Sequence, residues 1–143
     1  MVIGVRLEPG HLDRVTVRAQ VSWTPAAVWR AATADRAGWW PELRFEPVVG
    51  EALEETWTVG DELFVARGEV LEVSHPHLLV FEWHEPTWAA PLRVRFSIED
   101  ADPTSVTVTE DGFERLVGGR GLRDEHADGW EHHLATLVQF TGR

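Results

Sequence analysis

The sequence predicts an α+β fold in which a curved antiparallel sheet of about seven strands packs against one long C-terminal helix. Three observations lead there. Segments of alternating apolar and polar residues recur along most of the chain, joined by short turns rich in Gly, Pro and Asp, as consecutive antiparallel strands require. Helical signals are confined to a short stretch after the first such segment and to the end of the chain. Helices gathered outside a run of hairpin-linked strands cover one face of the sheet.

The elements follow in order. RVTVRAQVSW alternates Val15, Val17, Ala19 and Val21 against Arg14, Thr16, Arg18 and Gln20, the period of a half-buried strand. Thr24 is a natural N-cap and Pro25 suits the first helical position, so a short helix runs from Pro25 to about Thr33. Asp35 starts a further helical turn that ends at Gly38 or before Pro41. LRFEPVV and ALEETWTV form hairpin arms about Gly50-Glu51, and Val59 to Glu62 turn the chain into LFVARGEVLEV, which Gly68 interrupts. Ser74 to His77 lead into LLVFEWH, and EPTWAAP is a loop before LRVRFSI. SVTVTEDGF is the last strand. Gly118, Gly119 and Gly121 read as a flexible loop, without the Lys or the strand context of a phosphate-binding loop, before a helix from about Leu122 to Thr141. Residues 1–143 make a single domain, with 1–12 an irregular lead-in.

Composition narrows the function classes. The formal charge of −11 opposes binding to nucleic acid or to anionic membranes, and all thirteen basic residues are Arg. No apolar run is long enough to insert into a membrane, and the start lacks the features of a secretory signal, so a cytoplasmic protein is expected. Without cysteine there is no disulfide, thiol nucleophile or thiolate metal site. Trp is the outlier, with eight residues against no Tyr. Eight indoles can fill a core and line a cavity as well.

At about 100° per residue, the last helix puts Ala127, Trp130, Leu134, Leu137, Val138 and Thr141 on one side. His126 and His133 fall at the margin of that stripe, whereas Asp128, Glu131, His132 and Gln139 point away. The adjacent histidines of ADGWEHHLATLVQF therefore do not act together. His126 and His133 stand two turns apart, too far to share one metal, and no H-E-x-x-H spacing occurs. No metal, cofactor or catalytic residue is expected, and no serine lies in a nucleophile elbow.

Four stretches carry a family resemblance: VSWTPAAVWRAATADRAGWWPE, GEVLEVSHPHLLVFEWHE, SVTVTEDGF and HADGWEHHLATL. In this order they resemble the bacterial homologues of the C-terminal domain of the heat-shock-protein-90 ATPase activator, within the START-like (birch-pollen-allergen-like, SRPBCC) superfamily. The resemblance spans about Arg14 to Phe140. It implies a helix-grip fold with a cavity between sheet and helix, in which superfamily members hold hydrophobic small molecules and some act as polyketide cyclases or hydrolases. The eukaryotic activator uses a separate N-terminal domain for its main chaperone contact, for which this chain has no room. The resemblance therefore leads us to expect a protein partner more readily than chaperone activation.

Set in such a fold, Trp39, Trp40, Trp57, Phe81, Trp83, Trp88, Trp130 and Leu137 are candidates to wall the cavity. Polar groups that could orient a ligand are Arg67, Glu54 opposite it, Arg123 and His133. Arg67 follows Leu63 and Val65, which suggests that it points inward. Apolar residues on both faces of LLVFEWH allow for a dimer contact, so a monomer and a homodimer are both open. The leading expectation is the binding of an apolar or amphipathic small molecule. The alternatives are a protein-interaction module and a cyclase- or hydrolase-like enzyme in which His133 or His84 works with a carboxylate.

Overall fold

In the computed structural model, which describes residues 2–8 and 12–141, eight strands form one antiparallel sheet. They are β1 (Val2–Leu7), β2 (Arg14–Val21), β3 (Leu43–Phe45), β4 (Ala52–Val59), β5 (Glu62–Ser74), β6 (Leu78–His84), β7 (Leu92–Glu99) and β8 (Thr104–Asp111). The spatial order is β1-β2-β8-β7-β6-β5-β4-β3. Helix α1 (Pro25–Ala32) and a one-turn 3-10 helix at Arg36–Gly38 link β2 to β3, and helix α2 (Gly119–Thr141) closes the chain. This is the expected helix-grip arrangement. No helix among the described residues is long and apolar enough to cross a membrane.

Two expectations are corrected. Residues 2–7 are a strand paired with β2, not part of an irregular lead-in, because β2 would otherwise expose an unpaired edge; residues 1 and 9–11 lie outside the described residues. Gly119 and Gly121 belong to the first turn of α2 instead of a loop. Gly118, at φ 71°, makes the left-handed turn into the helix. At Gly119 a Cβ would come within 1.9 Å of the Phe113 carbonyl oxygen, so the helix start packs directly on backbone.

Period-two patterning sorts the sheet into two faces. Val15, Val17, Ala19 and Val21 of β2, Leu92, Val94, Phe96 and Ile98 of β7, and Val106 and Val108 of β8 are all buried under the helices. Each Val, Leu, Ile or Phe among them contributes roughly 1.5–3 kcal/mol by leaving water. Helix α2 buries the stripe its periodicity predicts, Ala127, Trp130, Leu134, Leu137, Val138 and Thr141, while His132 is exposed. Helix α1 begins as expected: the Thr24 hydroxyl accepts from the Ala27 N–H at 3.2 Å, with Pro25 in the first turn.

The backbone of α2 runs close to β1, β2 and α1. Toward the β4–β6 half of the sheet, the space beneath it is spanned by aromatic side chains. Trp83 of β6 stacks on Trp130 of α2 with ring centroids 5.9 Å apart, and Trp40 meets both edge-on at 6.5 and 5.5 Å. That standoff leaves room for a cavity.

Gly68 fits where no other residue can. It pairs with Trp83, and a Cβ there would lie 1.6 Å from the Glu82 carbonyl oxygen. We expect Gly68→Ala to destabilise the fold by about 2 kcal/mol or more, since the obstacle is backbone and cannot rotate away. Urea denaturation checks this, and a loss below about 0.5 kcal/mol would refute the close approach.

Candidate functional site

The strand β8 carries the buried polar centre of the molecule. Its alternation places Thr104, Val106, Val108 and Glu110 on the inward face, and Glu110 is completely buried. Three donors meet its carboxylate. Trp83 Nε1 donates to Oε2 at 2.7 Å, Trp130 Nε1 donates to Oε1 at 2.9 Å, and His126 Nδ1 donates to Oε1 at 2.7 Å. A buried carboxyl group is tolerable when its oxygens are hydrogen-bonded, and three donors meet that need here. Burial by itself would lower the His126 pKa. The hydrogen bond and charge of Glu110, with the charges of Glu85 and Glu55, outweigh it and hold the imidazole above its ordinary value.

A cavity of about 290 Å³ opens beside this centre, between β4–β6 and α2. Trp57, Ala66, Trp83, Trp88 and Trp130 form its apolar wall, and Glu55, Glu125, His126 and His133 are its polar groups. Gly129 completes the helix side, and a Cβ there would touch nothing within 4 Å. A glycine within a helix costs about 1 kcal/mol relative to Ala, and here its missing side chain is the open space itself.

Glu55 and His133 are held unlike ordinary surface groups. Glu55 Oε2 accepts from Trp40 Nε1 at 3.0 Å, its one hydrogen bond among the described residues. Burial raises its carboxyl to about 7, against the opposing pull of the Trp40 hydrogen bond and His126. His133 lies flat on Trp40, centroids 3.7 Å apart at 15°, and burial, helped by the His132 charge, lowers its pKa to about 4. At neutral pH the cavity therefore presents a neutral imidazole at His133, a Glu55 carboxyl poised to titrate, and a second imidazole, His126, hydrogen-bonded to Glu110.

The expected residues divide cleanly by position. Trp57, Trp83, Trp88, Trp130 and His133 line the cavity, and Trp40 backs it through Glu55 and His133. Phe81 and Leu137 are core, and Trp39 packs against that core while donating its indole N–H to the Ala31 carbonyl at 2.7 Å. Arg67 and Glu54 lie on the opposite face of the sheet. They pair with each other at 3.3 Å, and Arg44 also bonds Glu54. The inward reading of Arg67 failed because Leu63 and Val65 share the outer parity, and Leu63 is 62% exposed. Arg123 reaches the Arg14 carbonyl at 3.0 Å and Asp124 at 3.1 Å, tying α2 to β2 away from the cavity. His84 is exposed, and among the described residues His133 has no carboxylate partner and the histidine bonded to a carboxylate is His126. Glu55, Glu110 and His126 were the functional candidates that sequence reasoning missed. Period-two parity with Leu53 and Trp57, and with Val106 and Val108, marks both carboxylates as inward.

A larger surface depression of about 510 Å³ shares Trp88 with this cavity and is otherwise lined by residues that include Arg67, Glu69, Glu82 and His84. It is bounded by outer-face and loop residues and does not reach the buried polar centre. Among the described residues no group of three or more His, Asp or Glu is placed to hold a metal.

Two titrations follow. Without the Glu110 charge and hydrogen bond, burial weighs more heavily at His126, so Glu110→Gln should lower its NMR titration midpoint; an unchanged midpoint would refute the pairing. Folding raises the Glu55 carboxyl from 4.5 to about 7. Its contribution to stability is therefore full below about 4.5 and is lost as pH rises through about 7. Glu55→Gln should gain on the parent protein by about 5 °C in Tm between pH about 5 and about 8, and parallel Tm–pH curves would contradict the shift.

Solved structures place this architecture among known folds. A Rhodobacter sphaeroides protein shares 18% identity at a TM-score of 0.78, with 97% of this chain and 98% of that one covered. CalU16 from Micromonospora echinospora shares 17% identity at 0.69, covering 96% and 83%. DynU16, from the dynemicin biosynthetic locus, shares 22% identity at 0.72; the match covers 92% of this chain and 47% of that one. At these identities the likeness is one of fold. No curated protein sequence matches closely enough to count as a relative. The family model for Activator of Hsp90 ATPase homolog 1-like proteins, in contrast, matches residues 22–142, from the turn before α1 through the whole of α2, and the chain belongs to that family.

Proposed function

We propose that the protein binds a small apolar or amphipathic molecule in the cavity between the β4–β6 half of the sheet and α2. The observation that carries this reading is the wall itself. Four indoles surround about 290 Å³ of space together with a few polar groups, among them a Glu55 carboxyl that uses only one of its oxygens. Ligand pockets combine such an apolar lining with a small number of polar groups that set orientation, and they range over roughly 300–1,000 Å³. The space here suits a ligand of one to three rings. Gly129 supports the same reading, because the helix forgoes a side chain where one would intrude.

A protein-interaction role is the alternative, and Val59 and Leu63 at the tip of the β4–β5 hairpin are exposed apolar residues of the kind it would use. A filled interior would favour it, whereas the open space beside Trp83 and Trp130 supports the small-molecule reading. The His126–Glu110 pair favours a second reading, an enzyme of the cyclase or hydrolase kind. A carboxylate fixes the imidazole through Nδ1 and leaves its other nitrogen for proton transfer.

Binding can be tested with N-phenyl-1-naphthylamine, a neutral fluorescent probe of about the right size. We expect saturable enhancement with the parent protein. Gly129→Leu should weaken it by at least about tenfold while far-UV circular dichroism stays unchanged, because the added side chain occupies the ligand's space. Equal binding by both proteins would place the probe elsewhere and contradict the proposal.

A further inference from the structure

The charge and the surfaces of this cavity select among ligands, and the selection rests on the binding role proposed above. We propose that the cavity takes an organic cation, a protonated amine or quaternary ammonium carried on a small aromatic or apolar body and held between indole faces and the Glu55 carboxylate.

Three observations support this. Four of the lining residues, Trp57, Trp83, Trp88 and Trp130, carry the side chain that best attracts a cation. An indole face carries a negative quadrupole, and a desolvated ammonium over it gains more than over any other side-chain ring. The charge of the site has the matching sign. Among the described residues, its ionisable lining is Glu55, Glu125, His126 and His133. His126 is answered by the buried carboxylate of Glu110, and His133 is neutral at pH 7. What remains is the two lining glutamates, with Glu85 beside them close enough to feel both His126 and Glu125. Among the described residues no arginine lines the cavity: Arg67 pairs with Glu54 on the outer face, and Arg123 is tied to β2. A carboxylate or phosphate ligand would enter an apolar, acidic space with no guanidinium to receive it.

Glu55 supplies the third observation. One of its oxygens accepts the Trp40 indole N–H and the other has no hydrogen-bond partner among the described residues. That second oxygen is not sealed in the interior, and an ammonium placed against the indoles would pair with it and favour the ionised form of Glu55. A neutral apolar ligand would leave that oxygen as it is.

Three probes of one shape separate the alternatives: 2-phenylethylamine, 3-phenylpropionate and 2-phenylethanol, titrated into the intact protein by calorimetry near neutral pH and at low salt. The amine should bind about tenfold more tightly than the alcohol and at least about a hundredfold more tightly than the acid. Glu55→Gln keeps an acceptor for Trp40 and should remove most of the amine's advantage over the alcohol. The comparison among probes on the parent protein stands even if that variant folds poorly. An acid that binds as well as the amine, or an amine no better than the alcohol, would overturn the cation assignment and leave a neutral binding cavity standing. If none of the three binds, the binding role itself falls with it.

Discussion

One completely buried carboxylate organises this molecule. Glu110 stands on a central strand under the helix, and its two oxygens gather an indole from β6, an indole from α2 and an imidazole from α2. Leaving any of those donors unpaired in the interior would cost about 1–3 kcal/mol, and removing the imidazole would strand a buried charge at a cost of several kcal/mol more. The arrangement is therefore coupled. The rotation of α2 that presents Trp130 and His126 to Glu110 also sets Gly129 and His133 against the cavity. The edges of Trp83 and Trp130 are consumed by the carboxylate, and their faces stack on each other. Structure and site share the same few atoms.

Around that centre the protein keeps space open by mechanisms that oppose collapse. Trp40 is clamped on both sides, its N–H bonded to Glu55 and its face covered by His133. The short helical segment that delivers it is fixed by Arg36, whose guanidinium bonds the Leu43, Thr33 and Phe45 carbonyls and lies 4.0 Å over the Phe45 ring. Rigid indoles braced in this way cannot fold inward to fill the gap, and Gly129 has nothing to fill it with. A cavity held open at the expense of helix propensity and of a carboxyl raised to about 7 is more readily understood as a site than as a packing defect.

Much of the fold was legible in the sequence, and the reasons are physical. Strand alternation and the 3.6-residue stripe of α2 report burial directly, so Ala127, Trp130, Leu134, Leu137 and Val138 could be placed in the core from spacing alone. The eighth strand was missed because residues 2–7 gain their partner only through the edge of β2, which no local pattern announces. The site was half legible. The Trp set was recognisable by abundance, and the register of Glu54 opposite Arg67 was right. The face was wrong, since apolar Leu63 and Val65 line the solvent side and misdirect a reading that equates apolar with inward. Glu55 and Glu110 were visible as charges on inward parity, but a charge among buried positions becomes a site only when its partners are known. Trp40, Trp83, Trp130 and His126 reach them from elements between 15 and 27 residues away in the chain.

The central claim is that the space between the β4–β6 half of the sheet and α2 is a ligand site walled by one particular group of tryptophans. The most direct measurement is fluorine NMR of protein carrying 5-fluorotryptophan at all eight positions, titrated with neutral 2-phenylethanol. The account predicts that the resonances of Trp57, Trp83, Trp88 and Trp130 move together along one saturation curve, while Trp23, on the β2–α1 turn, and Trp29, packed on His75, stay fixed. Movement confined to Trp23 or Trp29, or a spectrum that does not respond at all, would contradict it.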